Sequence, residues 1–527
     1  MSPDLYVIRK FGVGYIVSND YNLQLDMETE KRQYIKQSDN MMFRHIRNIT
    51  GNKEVFNPYI VFVDCSGYHT KQDILRKLLT EGFYINNQHF CFTERSASMC
   101  RNGIIGFIDS SIKDAVDKII TMDIDMEKTV ISKYTAYRGL MFSSCFMLED
   151  KLPYIIIIDD YETTIPNQNI KYVDEEEYEW TNPETKEVIT GTKKIIKEGI
   201  QDVKISPADG AGMHAPHISK KWADGIGITR KTPCVYMLRM PYIKGLSIEV
   251  DFKKFYAEKG ITHIKDIWGK EHLVSDIDCI WTKSMYKGYK YFMKNKDYSD
   301  WQNYLAKFKE YNHCLGVAKW NFRTEEEPIY TRVNYQYLQT LSINKDEMIA
   351  MAEYSKNWIH KILSGDPLYI YKFLGMHSND TASNNKYMNA ILLNPNMLQD
   401  VKVKAFLYSL LKKYINDLKI GKIWIHGCFK IAIPDMIMLM EYAGGMEVKG
   451  SLKEGEFYAY GLNREEYLID RNPHICPSEH VILNKTNNKD IVKYLGHLEN
   501  ICMLNAYDIT MSRLNGCDFD KICRFQQ

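Results

Sequence analysis

An α+β fold built from several units is what the sequence predicts. Three observations carry it: the length, a strand-rich stretch from Val203 to Phe292, and helical periodicity from about 300 to 420 that gives way to short strands after Gly421. At 527 residues the chain exceeds one ordinary core, because domains of about 100–200 residues are the norm. The composition divides it into 1–150, 151–295, 296–420 and 421–527.

The N-terminal mixed α/β unit, 1–150, joins strand-like runs such as Tyr59-Ile60-Val61-Phe62-Val63 to a helix whose Ile112, Ala115, Val116, Ile119 and Ile120 fall on one face. In the second unit, Tyr154–Ile158 reads as a buried strand ending in Asp159 and Asp160, a solvated strand end. The acidic stretch Asp174–Glu187 reads as an exposed loop or hairpin. Cys234–Met240 and Leu246–Phe252 are predicted strands around a turn at Tyr242-Ile243-Lys244-Gly245, which makes this unit a compact β-domain. Val403, Phe406, Leu407, Leu410, Leu411, Tyr414 and Leu418 then predict a connector helix, with Gly421 placed to end it. No repeat of solenoid period is visible.

The totals exclude several classes. Hydrophobic content of 45% with 26% charge is globular, and 68 basic against 67 acidic residues leave a net charge of +1. A nucleic-acid surface must therefore be local. The twelve cysteines form no paired knuckle and the N-terminus lacks an apolar signal core, the pattern of reduced thiols in a cytoplasmic protein. Runs such as Tyr154–Ile158 and Met436–Met440 fall far short of the roughly 20 apolar residues of a membrane span, so no membrane partner is expected.

Taken singly, the chemical motifs are weak. Asp518-Phe519-Asp520 follows Asn515-Gly516-Cys517, and two carboxylates two residues apart suit a hard divalent cation. Asp123-Ile124-Asp125 and Asp276-Ile277-Asp278 share that spacing without such context. Lys244 and Lys287 read as solvated charges, Arg471 as a loop residue before Asn-Pro, and Gly210 and Gly212 as a tight turn. His214 and His217 lack the further ligands that zinc requires.

Order supplies what the single motifs lack. Asp209-Gly210-Ala211-Gly212, then Leu238-Arg239-Met240-Pro241-Tyr242-Ile243-Lys244-Gly245, then Ser284-Met285-Tyr286-Lys287, then Arg471-Asn472-Pro473-His474 and Asp518-Phe519-Asp520 follow one another along the chain. This succession resembles the RNA polymerases built from two double-psi β-barrels, specifically the cellular RNA-dependent RNA polymerases of the RNA-silencing type and their bacterial and phage relatives. The resemblance covers roughly 200–520 and is vague before that, at Tyr137-Arg138-Gly139-Leu140. It implies a first barrel at 151–295, a helical connector at 296–420 and a second barrel at 421–527. It implies Mg²⁺ as cofactor on Asp518 and Asp520, and nucleotide or RNA contacts by Lys244, Lys287, Arg471 and Arg239. Ribonucleoside triphosphates and an RNA template are the implied partners. A DNA template, used by phage relatives of the same fold, and a nucleic-acid-binding remnant without chemistry are the alternatives, with an unrelated metal-dependent nuclease as a third.

The pattern also breaks. Where the family continues Gly-Asp after its second aspartate, this chain reads Lys521-Ile522, so one of three metal carboxylates is missing and a cation sits beside the site. From this we expect an incomplete second barrel with open strand edges, a catalytically impaired, truncated enzyme, and a complementing C-terminal chain as partner.

Overall fold

The computed structural model describes residues 5–19, 22–26, 33–66, 72–124, 130–289, 291–292, 299–321, 330–375, 385–514, 516–517 and the backbone of 522–526. An eight-stranded sheet with helices forms the N-terminal unit. The helix expected there spans Ser110–Thr121 and buries Ile112, Val116 and Ile120.

Two further sheets share one wiring diagram. In the first, the pairing order is Ile155–Ile158, Cys279–Thr282, Ala211–His214, Ile243–Glu249, Val235–Met240 and Leu315–Trp320, with Phe146–Leu148 on the outside. In the second it is Trp424–Pro434, Ile501–Leu504, Glu456–Tyr458, Val481–Lys485, Glu466–Asp470 and Ile522–Gln526, with Tyr330–Arg332, from the stretch read as connector, on the outside. Numbered along the chain, both run 1-5-2-4-3-6, and both alternate parallel, antiparallel, parallel, antiparallel, antiparallel. The resemblance implied two barrels, and the strand pairing shows that they share one hydrogen-bond pattern.

Three placements differ from the sequence reading. Leu315–Trp320, within the stretch read as helical connector, is the sixth strand of the first sheet. Helices Pro216–Gly225 and Phe252–Glu258 interrupt the stretch read as mostly β, the first opened by a proline and the second capped by Asp251. After Asp520 the expected open edges are paired with each other: Ile522–Gln526 bonds to Gly427–Ile431 on one side and Leu468–Asp470 on the other. The pairings of the second sheet thus form a ring, because a single extended segment can satisfy the unpaired groups of both neighbours.

The acidic stretch lies on an antiparallel arm, Thr163–Thr181 against Val188–Ile205. The connector helix runs Val401–Lys419, followed by Gly421 at φ 82°, where a left-handed conformation favours glycine. It packs with Ile362, Ile370, Met388 and Ile391 in a core of its own.

The two barrels do not have separate cores. One continuous cluster runs from Ile156, Met213, Leu246 and Ile280 of the first to Ile433, Met438, Phe457, Ile469 and Met503 of the second. Polar ties lock the junction. Asn321 accepts from the backbone N–H groups of Cys234 and Val235 at 2.9 Å and donates to the Glu499 carbonyl at 2.9 Å. The Tyr256 hydroxyl donates to the Met440 carbonyl at 2.8 Å. Asn321→Ala is expected to cost about 2 kcal/mol, since it strands buried donors without a partner, and thermal unfolding will read the loss.

His45, on the N-terminal helix Met41–Thr50, meets His313 at 2.9 Å in a buried pair. Burial lowers His45 from the ordinary 6.5 to about 4 and drives His313 well down, its neighbour His45 adding to the effect. The unfolded chain binds protons that the folded pair refuses. Stability is therefore fully present above pH 6.5 and falls as pH drops toward about 4, by on the order of 3 kcal/mol from His45 alone. Thermal midpoints between pH 7 and 4.5 should show this fall, and His45→Gln should flatten it.

Candidate nucleotidyl-transfer site

Three of the ordered motifs meet in the first barrel. The Gly210 N–H donates to Ser284 Oγ at 2.7 Å, the Thr282 hydroxyl to the Ala211 carbonyl at 2.7 Å, and the Lys244 N–H to the Met285 carbonyl at 3.1 Å. Lys244 and the segment carrying Lys287 are thereby neighbours. Arg239 and Lys244 are directly paired across adjacent strands, so both side chains leave the same face of the sheet. Met237 and Leu246 share that face and belong to the core between the barrels.

The turn before Lys244 is displaced from its expected place. Pro241 and Tyr242 make it, with Tyr242 at φ 58°, and Lys244-Gly245 lie inside the strand. Burial outweighs local preference here: the Tyr242 ring packs on Tyr137, Tyr291 and Phe292. Gly245 serves close packing, because a Cβ would come within 2.6 Å of the Gly210 carbonyl oxygen and 2.4 Å of Met285. Gly212 is likewise crowded, with the Ile280 carbonyl at 2.8 Å from a Cβ position, whereas Gly210 takes φ +73° in open space.

Arg239 is buried, donates to the Leu238 carbonyl at 2.7 Å and lies near Cys145, whose thiol burial pushes up to about 12 against the opposing influence of Arg239. Arg471 follows the third strand of the second barrel and is 1% exposed. Its Nη1 donates to the Leu514 carbonyl at 2.7 Å, gripping the segment that leads to Asp518. Cys517, buried, holds the same segment through its N–H on the Met511 carbonyl at 2.9 Å. Asp518 and Asp520 lie outside the described residues. Among the described residues no group of three or more His, Cys, Asp or Glu is placed to hold a metal.

A cavity of about 610 Å³ lies between the barrels, lined on one side by Met237, Leu246, Lys319 and Trp320 and on the other by Phe429 and Asn472. Met237 and Leu246 belong to the sheet face that carries Arg239 and Lys244, and Asn472 follows Arg471; Arg239, Lys244, Lys287 and Arg471 are not themselves among the lining residues. Lys319 was missed by the sequence reading. It alternates with Ala318 and Trp320 on a strand that only the sheet assigns to the first barrel. Lys430 was also missed. It is fully buried, its Nζ 3.3 Å from the Tyr460 carbonyl. Nearby Lys485 has its pKa lowered by burial and by Lys430.

Other motif residues are structural. His214, lowered to about 3 by burial, bonds Ser247 and Ser219, whereas His217 pairs with Asp278 at the surface. Arg138 is buried against Glu94 and Asp117. Asp160 accepts from the Ser284 N–H at 3.2 Å while Asp159 pairs with Lys283. Asp435 caps helix Met436–Ala443 and also accepts from Ser451 and Leu452.

No family model matches the chain. It is 29% identical over 437 residues to the DNA-directed RNA polymerase YonO of Bacillus phage SPbeta, an alignment covering 80% of this chain and 46% of that protein. Its fold matches that of the RNA dependent RNA polymerase QDE-1 from Thielavia terrestris with a TM-score of 0.57 at 10% identity, over 100% of this chain and 53% of the other. By fold and by homology, the chain is related to the two-barrel RNA polymerases. It spans about half the length of the phage protein it resembles.

Arg471→Ala is expected to cost about 2–4 kcal/mol of stability, because it leaves a buried carbonyl unpaired. Lys244→Ala, at a half-buried side chain, is expected to change stability by no more than about 0.5 kcal/mol. Thermal melts of the two variants side by side will check the contrast.

Proposed function

We propose that this chain carries out template-directed RNA synthesis by nucleotidyl transfer. The observation that carries the reading is the arrangement of two identically wired barrels across one cavity. The face that carries Arg239 and Lys244 contributes Met237 and Leu246 to one wall, and the loop of Arg471, tied to the approach to Asp518, contributes Asn472 to the other. Such chemistry asks little covalent work of a protein and depends on positioning and charge stabilisation.

Lys244 and Lys287 would place point charges against triphosphate or backbone oxygens, and Arg239 would support that wall. Arg471 would orient the substrate through the loop it grips. Asp518 and Asp520 would hold Mg²⁺, which when bound neutralises charge on the attacking and leaving oxygens. Two carboxylates fit a hard cation; Lys521 and Ile522, standing where the family has glycine and the third aspartate, fit it poorly. We therefore infer a weakened enzyme. A complementing chain that strengthens it is a proposed partner.

Of the two templates, DNA has the support of homology, since the phage relative is named a DNA-directed polymerase and aligns with 80% of this chain. An RNA template rests on likeness of fold. Nucleic-acid binding without chemistry is favoured by the Lys521-Ile522 substitution alone.

Purified protein should be given ribonucleoside triphosphates, Mg²⁺ and single-stranded DNA or RNA. The expected result is slow incorporation, faster on DNA and abolished in Asp520→Ala and Lys244→Ala. Joint Lys521→Gly and Ile522→Asp, which rebuild the third carboxylate, should raise it by about tenfold or more. Salt-sensitive binding with no incorporation even from the rebuilt loop would sink the polymerase reading in favour of binding alone.

A further inference from the structure

A hydroxyl of the connector reaches the segment carrying Arg471. Helix Tyr335–Gln339 ends at Thr340, whose Oγ lies 2.7 Å from Nε2 of His480 and 3.4 Å from Nδ1 of His474. The other nitrogen of His474, Nε2, is 3.1 Å from Oδ1 of Asp470, the residue before Arg471. Thr340, His474 and Asp470 are buried. The Tyr337 ring stands edge-on to both imidazoles, at 5.9 Å from His474 and 5.0 Å from His480.

The protons of this chain of groups are constrained by elementary chemistry. A carboxylate only accepts, so Nε2 of His474 must carry its hydrogen toward Asp470. Nδ1 of a neutral His474 is then a bare, buried acceptor, and a buried acceptor without a donor is costly. The Thr340 hydroxyl is the donor placed to reach it. Its proton has three rival acceptors, Nε2 of His480 at 2.7 Å and the Gln336 and Tyr337 carbonyls at 3.1 Å each, and donation to any of them leaves Nδ1 of His474 unserved. The Gln336 carbonyl is already served by the Thr340 N–H at 3.2 Å. Once the hydroxyl donates to His474, its oxygen accepts from Nε2–H of His480. One direction therefore runs through the whole set: His480 to Thr340, Thr340 to His474, His474 to Asp470.

We propose that Thr340 is a positioning residue for the Arg471 loop, and that its hydroxyl, donating to the imidazole of His474 whose tautomer Asp470 fixes, sets the tautomer of His480 so that the connector and the loop hold a single geometry. The rest of the loop is anchored from elsewhere. Glu479 accepts from the N–H groups of Ile475 and Cys476, and Arg513 donates to the Ser478 and His480 carbonyls at 2.8 and 3.2 Å. Thr340 is a tie that crosses from the connector. Its consequence for turnover rests on the polymerase reading; the tautomer assignment does not.

The test uses the full chain labelled with ¹⁵N-histidine at pH 8, with His474→Gln and His480→Gln supplying the assignments. Wild type should show both imidazoles as Nε2–H tautomers. Thr340→Val, confirmed folded by its thermal midpoint, should leave His474 donating to Asp470 while the His480 tautomer balance shifts away from Nε2–H. Thr340→Ser should restore the wild-type spectrum. In the incorporation assay Thr340→Val should lower kcat about tenfold with KM for nucleotide within about twofold, and Thr340→Ser should recover it. An unchanged His480 tautomer in folded Thr340→Val, or equal defects in the valine and serine variants, overturns the proposal. If wild type incorporates nothing on any template, the polymerase reading fails and the histidine spectra still decide the coupling.

Discussion

The apolar junction between the two barrels is the constraint on which the remaining features depend. A single buried cluster reaches from Ile156 and Ile280 in one barrel to Ile433 and Met503 in the other. Close-packed interiors resist sliding, because a small shift forfeits dispersion contacts along the whole seam. That rigidity gives meaning to the distance between the Lys244 face and the Arg471 loop. Asn321 and Tyr256 add directional bonds at the same seam, which set register where apolar contact alone is permissive.

Duplicate wiring relates charged segments of the two barrels. The link from strand five to strand six begins with Lys283 to Lys287 in the first barrel, and in the second it carries Arg513 and, further along the sequence, Asp518. A net charge of +1 over 527 residues conceals this arrangement completely. The local field of a cleft depends on which few charges face it, and the total says nothing about that.

Several roles read from residue type changed once neighbours were known. Gly245 looked like a turn glycine and is a packing glycine, excluded from carrying a Cβ by Met285 and the Gly210 carbonyl. Arg471 looked like a solvated loop residue and is buried on the Leu514 carbonyl. The stretch holding Leu315–Trp320 was read as helical because the connector follows it, yet sheet pairing with Val235–Met240 claims that strand. In each case the deciding partner is more than thirty residues away in sequence, beyond the reach of any local window.

By itself the sequence determined the α+β class, the connector helix with its terminating Gly421, the acidic hairpin and the order of the motifs from Asp209 to Asp520. These are written in periodicity, capping and turn chemistry, which act over a few residues. The family resemblance implied two barrels; only the tertiary structure decided their strand order and that strand Ile522–Gln526 joins the two edges of the second. It also set Arg239 and Lys244 on one face and brought Thr340 to His474. Pairing register and long-range burial govern those choices, and they depend on contacts between segments that no single segment encodes.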